Sequence, residues 1–439
     1  MIRSLIHWLF FTPGSRFFRF LPLWAATGLS GSKAGLGGVL FLRFPFFGHT
    51  VVLKQIPDDA EAIMSHLACS ICAQAGVVAP RVEILSLNSG RGRALVRKVK
   101  ALAPSPTKRI AGQIKSILEK SDKVLLMEFV RGGPLMPTDD AAACAERLRS
   151  TSMVEQMGRL MAVDIVINNW DRLPLDLDVW APDPSAPFAA EHQGNPDNVH
   201  VRDDDGAIVA IDTDFKRFYP GPGAGGPELV DPGGLDSGEN TGGRAHGDEL
   251  YLDQVAMLFG DVAWAAKATK AAGKPTAAAA SAGAAPAVAP LPKPSRAARA
   301  LRNGLQPLRG AAAVASLSDE LLRRYDAALA EGLNLLLKER ILPRQHSAAV
   351  AALGGEAALS ERVVKTTQRQ VRRAERVLDA WEVAVSAAAI GFYDDLPWQK
   401  EGYKGGEQGA VDGPDDIGRA AANPKAKAKA KAKVVKEYD

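Results

Sequence analysis

A helical run that ends in a cluster of polar residues constrains this sequence more than any other feature. Residues 155–168 carry apolar side chains at helical spacing, and the polar sequence NNWDR, with Asn168, Asn169, Asp171 and Arg172, closes the run. Because a helix that buries one face fixes the position of its own end, the pattern predicts that these groups are held at one point of the fold. We therefore interpret Asp171 as a catalytic carboxylate. An ion pair of Asp171 with Arg172 or another cation is the structural alternative.

The first ~130 residues predict a β-rich lobe with one helix. Strands are indicated by runs rich in β-branched and aromatic residues, namely 39–44, 50–56, 81–87, 93–99 and 123–130. A turn at Asn88 separates the third of these runs from the fourth. Residues 58–75 have helical spacing and supply the helix.

The rest of the chain is predicted to be mainly helical. The helix over 155–168 is followed by a short hairpin, VHV and AIVAID, around the turn that begins at Asp203. Further helices are predicted at 251–264, 317–342 and 360–390. Residues 219–248 are rich in Gly and Pro and predict a loop, whereas residues 265–300 are rich in Ala, Pro and Lys and predict a disordered insert.

The predicted organisation is a two-lobed α+β chain. Its segments are an N-terminal segment (1–24), a β-rich N-lobe (25–133), a helical C-lobe with catalytic and metal loops (134–264), a disordered insert (265–300), a helical C-terminal part of the C-lobe (301–395) and a disordered basic tail (396–439). The N-terminal segment is basic and aromatic, and Asp58 is the first acid of the chain. This is compatible with a targeting peptide, although a first strand with core residues is the simpler interpretation.

The composition of the chain limits which kinds of partner and which kinds of cysteine site can be expected. The chain has 439 residues, 46% of them hydrophobic, and a net charge of +4, which is ordinary for a globular protein and gives no argument for nucleic acid. Three cysteines, Cys69, Cys72 and Cys144, are too few for a disulfide framework and favour a reducing compartment, so we expect a cytoplasmic protein. The CxxC of Cys69 and Cys72 lies in a helical pattern and predicts buried core residues. No apolar run reaches the ~18 residues of a membrane span.

Several features occur in the order that phosphoryl transfer requires. A glycine-rich turn precedes Lys54 in an apolar strand, Glu61 lies in the next helix, Asp171 and Asn198 follow a later helix, and Asp212 ends the strand IVAI. In phosphoryl transfer a backbone cradle and a lysine hold phosphates, an acid orients the lysine, a carboxylate takes the hydroxyl proton, and Asn with Asp holds the metal. Each residue alone has an ordinary explanation, such as an edge-strand lysine or a helix-surface acid. Their order and spacing together favour phosphoryl transfer.

The same residues carry a resemblance to a known family. The run MGRLMAVDIVINNWDRLPL, followed by Trp180, GNPDN and VAID, resembles the catalytic domain of the actin-fragmin kinase family. The upstream segments GSKAGLGGVLFL, VVLK and MEFVRGGPL are similar to that family in order and spacing. The resemblance covers residues 25–265 and implies a two-lobed, atypical protein-kinase-like fold related to protein kinases and phosphoinositide kinases.

The resemblance implies a role for individual residues. Lys54 would hold the ATP phosphates, and Glu61 would orient Lys54. Asp171 would orient the substrate hydroxyl or remove its proton, and Asn198 and Asp212 would bind Mg²⁺. The contacts to the adenine and the phosphates would come from Gly31, Ser32, Gly35, Met127, Glu128 and Phe129.

The sequence departs from ordinary protein kinases in several places. It has no HRD and no DFG, and 26 residues lie between Asp171 and Asn198. Asp214, which follows shortly after the strand IVAI, is an alternative metal ligand. Asn168 and Asn169 are expected to fix the loop and not to touch the substrate.

The predicted function is ATP-dependent transfer of the γ-phosphate to a Ser or Thr hydroxyl of a protein. The resemblance implies actin, or an actin-capping complex, as a candidate substrate, and ATP and Mg²⁺ as cofactors. A nucleotide-binding pseudokinase or scaffold is one alternative, and a phosphoinositide-type lipid kinase is another. We expect no specific nucleic acid partner and no transmembrane segment, and the basic tail is a candidate for contact with anionic surfaces.

Overall fold

The fold is that of a computed structural model of the chain. It describes residues 23–31, 39–44, 49–56, 58–103, 106–119, 122–137, 140–169, 172–175, 196–211, 213, 215, 241–272, 292–309 and 314–392. The chain divides into two compact units. Unit 1 is drawn from residues 1–70, 79–131 and 344–368, and unit 2 from residues 71–78, 132–343 and 369–439.

Unit 1 contains a five-stranded antiparallel sheet. Its strands are β1 (Gly28–Gly31), β2 (Val39–Phe44), β3 (His49–Gln55), β4 (Val82–Ser86) and β5 (Lys123–Glu128), in the order β1-β2-β3-β5-β4. After β3 comes α1 (Asp59–Gln74), and between β4 and β5 come α2 (Gly90–Leu102) and α3 (Lys108–Leu118). Four of the five predicted strands are thus confirmed with ends shifted by one or two residues, as is the helix predicted over 58–75.

The two faces of this sheet differ because side chains alternate along each strand. One face packs against α2 and α3 in a continuous apolar core, to which the sheet contributes Leu40, Leu42, Val51, Leu53, Val124 and Leu126 and the helices contribute Leu95, Val99, Ile114 and Ile117. The alternate residues point to the opposite face, and among them are Val39, Phe41, Val52, Lys54, Leu125 and Met127. Lys54 therefore lies on the face that is turned away from α2 and α3.

The strand predicted over 93–99 is wrong, because these residues lie in α2. Ser89 caps this helix by accepting a hydrogen bond from the Gly92 N–H at 2.9 Å. Gly92, Leu95 and Val99 then form one buried face at helical spacing. The apolar positions of RALVRKV fit either period, and the N-cap is the signal that decides. Unit 1 therefore has several helices where one was predicted.

Unit 2 is mainly helical. Its helices are α4 (Ala141–Arg149), α5 (Thr151–Ile167), α6 (Thr241–Ala272), α7 (Arg296–Arg309) and α8 (Asp319–Glu339), and α9 (Leu342–Ala352) and α10 (Glu361–Ala389) carry residues of each unit. A small antiparallel sheet consists of β6 (Gly132–Pro134), β7 (Val199–Arg202) and β8 (Ile208–Ala210). The predicted hairpin around Asp203 is β7–β8, and the predicted α+β class is confirmed. Among the described helices, none has the length and apolar content needed to cross a membrane.

Helices α5 and α8 approach each other closely at two glycines. A methyl group at Gly158 of α5 would overlap the Tyr325 carbonyl oxygen of α8, and one at Gly332 of α8 would lie 2.8 Å from the Ala162 methyl of α5. Glycine is needed at both positions because any side chain would push the helices apart. The second half of α5 is buried on all sides, so this helix forms the centre of unit 2.

Two regions predicted to lack regular structure are partly helical. Helix α6 begins at Thr241, within the predicted loop 219–248, and continues to Ala272, into the predicted disordered insert 265–300. Helix α7 begins at Arg296, near the end of the same insert. Residues 219–240 and 273–291 lie outside the described residues, and residues 292–295 are described without regular structure. The prediction failed because it counted large apolar side chains, whereas Ala, which is abundant here, has the highest helix propensity.

A buried acid joins α8 to the chain before α7. The Asp326 side chain is fully buried, and its carboxylate accepts hydrogen bonds from the Ser295 N–H at 2.7 Å and from the Ser295 hydroxyl. Burial raises the pKa of Asp326 to about 7, and the Asp261 carboxylate adds to the rise, while the Ser295 hydrogen bonds and Arg299 oppose it. The folded protein therefore favours the neutral carboxyl group.

We expect Asp326→Asn to change how the free energy of unfolding depends on pH. The pKa of Asp326 is about 7 in the folded protein, and its ordinary value is 3.8. Asp326 therefore stabilises the fold fully below pH 3.8, and this stabilisation is lost as the pH rises through about 7. Between these two pH values, the free energy of unfolding of the wild type should fall by roughly 1 kcal/mol per pH unit relative to that of the variant. Urea denaturation from about pH 5 to about pH 8 measures this difference. The exposed Asp253→Asn is the control, and parallel curves for wild type and Asp326→Asn would contradict the assignment.

Candidate functional site

Lys54 lies within an apolar sheet face of unit 1. It is half-buried on β3, and its register partners are Val39 on β2 and Leu125 on β5. Val52 and Met127, which are register partners of each other, continue the same face. Such a face offers a flat apolar surface for a heterocycle and one positive charge for phosphates. Leu125 is buried and packs with Ile56 and Ala62, so part of this face is covered within unit 1, and the role of Lys54 toward phosphates stays a prediction.

The residues predicted to meet the adenine lie at the end of β5. The Arg81 guanidinium donates to both carboxylate oxygens of Glu128 at 2.9 Å, and the Glu128 N–H donates to the Arg81 carbonyl oxygen at 2.9 Å. The Phe129 ring is 42% exposed and packs edge-on against Phe41, with ring centroids 5.8 Å apart. Met127 is half-buried. Arg81 therefore occupies both the carboxylate and the backbone N–H of Glu128, and the contact of Glu128 with adenine stays a prediction.

Gly31 has a packing role that the sequence did not indicate. A methyl group at Gly31 would overlap the side-chain oxygen of Gln113 on α3, and the Arg109 guanidinium donates to the Gly31 carbonyl oxygen at 3.3 Å. Because the Gln113 oxygen is the end of a flexible side chain that can turn away, the contact shows that α3 passes close to β1 but does not by itself require glycine. Ser32 and Gly35, the other predicted phosphate contacts, lie outside the described residues.

Glu61 occupies the first turn of α1, where its side chain is half-buried. Asp58 caps the helix by accepting a hydrogen bond from the Glu61 N–H at 2.8 Å, and Asp59 forms an ion pair with Lys123. Acids in a first turn interact favourably with the helix dipole. Glu61 thus has a structural reason for its position, and its role toward Lys54 stays a prediction.

The polar loop that follows α5 is anchored in the interior of unit 2. Asn168 adopts the left-handed conformation that ends α5 (φ 54°, ψ 41°), and the Asn169 N–H donates to the Asp164 carbonyl oxygen at 2.8 Å. Both asparagines are buried, as expected for residues that fix the loop. Arg172 is also buried, with its guanidinium 2.9 Å from the Asp164 carboxylate. The chain is therefore fixed on either side of Asp171, which itself lies outside the described residues.

The two predicted metal positions lie on segments that are hydrogen-bonded to each other. Asn198 is half-buried, and its carbonyl oxygen accepts a hydrogen bond from the Ile211 N–H at 3.1 Å. The hydroxyl of Thr213 is buried and donates to a backbone carbonyl of β8 at 3.1 Å. Asp212 stands between Ile211 and Thr213 in the sequence. It lies outside the described residues, as does its alternative Asp214. The backbone thus brings Asn198 next to the residue before Asp212.

A buried thiol joins the polar loop to the segment after β8. Cys72 lies in the part of α1 that belongs to unit 2, and its buried thiol is close to the side chains of Arg172 and Thr213. Burial raises the pKa of Cys72 to about 12, although Arg172 opposes the rise, so the thiol stays protonated and serves in packing. The residues that directly follow Asp171 and Asp212 in sequence therefore meet at one side chain.

Sequence reasoning missed the residues that organise this site. Asp164 is the single acid in the apolar run MAVDIVI, and a lone acid in such a run is a signal for a buried ion pair. Arg172 was considered only as a partner of Asp171. Cys72 is buried and Cys69 is half-buried, which agrees with their interpretation as core residues, but nothing in the CxxC spacing indicates that Cys72 lies close to Arg172 and Thr213.

Comparison with known families supports the resemblance drawn from the motif run. The family described as "Actin-fragmin kinase, catalytic" matches residues 29–203. The match includes Lys54, Asp171 and Asn198 and ends before Asp212. The family is described as a kinase, so the match suggests a kinase-like function for these residues. No curated protein sequence matches the chain.

Proposed function

We propose that the protein transfers the γ-phosphate of ATP to a Ser or Thr hydroxyl of a protein, because residues 29–203 match the family described as "Actin-fragmin kinase, catalytic". The observation that most supports this proposal is the meeting of Arg172 and Thr213 at Cys72. It joins the chain segments that carry Asp171 and Asp212. Phosphoryl transfer uses one carboxylate at the acceptor hydroxyl and another at the metal, and Asp171 and Asp212 are the acids proposed for these two roles.

The residues present fit ATP and Mg²⁺ chemically. Lys54 carries a positive charge on an apolar sheet face, and Asn198 and Asp212 carry the amide and carboxylate oxygens that Mg²⁺ prefers. When bound, MgATP supplies the phosphoryl group and neutralises part of its charge. In the proposed reaction Lys54 would hold phosphate oxygens, Asn198 and Asp212 would hold the metal, and Asp171 would orient the acceptor hydroxyl and take its proton.

Actin, alone or in a capped complex, is the first substrate to test. The reason is the name of the matched family, which mentions actin and fragmin. Residues that select a protein substrate are carried by surface loops, so the choice of substrate rests on this name and not on the residues around Lys54 or Asp171.

The test is transfer of labelled γ-phosphate from MgATP to monomeric actin, with and without a capping partner, and to a generic basic protein. Lys54→Met should lower transfer by about a hundredfold, because a charge that stabilises the developing phosphate charge is removed. Lys338→Met removes an equally flexible charge from an exposed position of α8 and should leave transfer unchanged. A chelator of divalent metal should stop transfer by the wild type.

The outcomes separate the alternatives. Equal transfer by Lys54→Met and Lys338→Met would contradict the role of Lys54. ATP binding without transfer to any acceptor would favour a nucleotide-binding pseudokinase, and transfer to phosphoinositide but not to protein would favour a lipid kinase. Labelling of actin above the basic protein would support actin as the substrate.

A further inference from the structure

The two helices between β4 and β5 carry a concentrated positive charge. Helix α2 has five Lys or Arg residues and α3 has three, and neither contains an Asp or a Glu. The whole chain has a net charge of only +4. The charge of these helices is therefore a local feature of unit 1 and not a consequence of overall composition.

The basic side chains of the two helices lie side by side. Both helices bury their apolar residues in the same core on one face of the sheet, so their opposite sides are turned outward together. An ion pair of 3.7 Å between Lys100 of α2 and Glu119, just after α3, links them. We call the outward side of this pair, with its exposed residues Arg93, Arg97, Lys100, Lys108 and Lys115, the α2–α3 face.

Most of this charge is not neutralised by neighbouring acids. Glu83 pairs with Arg91 at the edge of the face. Within the part of the chain that the structure describes, Arg97, Lys98, Lys108 and Lys115 form no ion pair. The α2–α3 face therefore presents a positive potential to solvent that an anionic partner would compensate.

The spacing of the cations forms a line that a polypeptide can follow. Arg93, Arg97 and Lys100 are three and four residues apart, so they project from one side of α2 over about 10 Å. On α3, exposed Ala111 and Gly112 lie between Lys108 and Lys115. Small residues between the cations let the backbone of a partner come close to the helix.

The side chains between the cations discriminate among anionic partners. Membrane-binding helices add large apolar or aromatic residues that insert among the lipids, and proteins that bind single-stranded nucleic acid add aromatic residues that stack on bases. The described residues of α2 and α3 expose neither kind, since their buried or half-buried apolar residues belong to the core. A carboxylate-rich polypeptide needs only the cations. We propose that the α2–α3 face docks an acidic segment of a partner protein.

The docking surface is separate from the candidate nucleotide site. Leu53 points into the core beneath α2 and α3, whereas Lys54, the next residue, points to the opposite face of the sheet. Binding of an acidic segment should therefore need neither ATP nor an intact Lys54. The proposal stands independently of the proposed kinase activity, and its test uses binding alone.

The experiment measures binding of a short fluorescein-labelled peptide rich in glutamate to the full chain by fluorescence anisotropy. The variant Arg97→Glu/Lys108→Glu/Lys115→Glu should bind the peptide about tenfold more weakly than the wild type, because each attraction becomes a repulsion. The matched control, Arg362→Glu/Arg369→Glu/Arg372→Glu, changes the same charge at exposed positions of α10 and should bind like the wild type. Binding by the wild type should weaken steeply as salt is added.

Both variants keep the basic tail at residues 425–436, so any contribution of the tail is the same in each. Phosphatidylserine vesicles and a single-stranded oligonucleotide are the comparison probes. Equal peptide binding by the two variants would overturn the proposal. So would vesicle or oligonucleotide binding that is tighter than peptide binding and is lost in the α2–α3 variant, because the face would then serve a membrane or a nucleic acid.

Discussion

Asp171→Asn should lower phosphate transfer by about a thousandfold while ATP affinity changes by less than about twofold, because the amide keeps the shape of the side chain and cannot take a proton. The flanking residues explain why the fold should survive the change. Asn169 and Arg172 are buried and bound to Asp164 on α5, and neither is altered. The loop should therefore keep its anchors, and the loss should appear in kcat.

The measurement is single-turnover transfer of labelled phosphate, with ATP binding followed by thermal shift. Asp212→Asn should also lower transfer strongly, but part of its loss should be restored by raising the Mg²⁺ concentration, since a metal ligand has been weakened. Asp204→Asn, at an exposed position of the turn between β7 and β8, is the control and should transfer normally. Wild-type transfer by Asp171→Asn would show that the acid is structural.

Arg172→Met should destabilise unit 2 by about 3–5 kcal/mol, because it takes the cation away from a buried carboxylate. Arg172 and Asp164 are both buried, with 0% and 1% of their side chains exposed. Charges in such a place are stable only as a pair. The double variant Asp164→Asn/Arg172→Met should therefore lose less stability than the sum of the two single variants.

Urea denaturation of the four proteins in this double-mutant cycle gives the coupling energy directly. Arg159→Met provides a matched control on α5, the helix that carries Asp164. Arg159 pairs with Glu331 at a partly exposed position, so this change should lower the free energy of unfolding by only about 0–1 kcal/mol. If the losses of stability caused by the changes at Asp164 and Arg172 were additive, this would contradict the inference that the two side chains act as one anchor. A loss of activity in Arg172→Met that exceeds its loss of folded protein would show that the anchor also positions the loop.

Local patterns explain which parts of the fold were predictable. The strands from 39–44 to 123–130 alternate or are continuously apolar, and the polar loop after α5 follows a helical run that is buried on all sides. These signals lie within a few residues of one another. The prediction for RALVRKV was wrong because its apolar positions fit the period of a strand as well as that of a helix. The hydrogen bond that decides for the helix, from Gly92 to Ser89, is made by residues just before this run.

The organisation of the candidate site depends on contacts that no local pattern carries. Cys72 meets Arg172 and Thr213 although the three residues come from distant parts of the chain. The sequence indicated which acids to consider, but it contained no sign that a thiol lies between their neighbours. The α2–α3 face was not predicted from the sequence for a related reason. Its basic residues lie on one side of α2 only because this segment is a helix and not a strand.

The close contact of α5 with α8 has a consequence for how this chain can change over time. Gly158 and Gly332 fix the two helices at a distance that tolerates no added side chain, while a long stretch of sequence connects them. Substitutions at exposed positions away from such contacts usually change the free energy of unfolding by about 0.5 kcal/mol or less. Lineages should therefore tolerate substitutions at exposed positions of α5 and α8 far better than any replacement of either glycine.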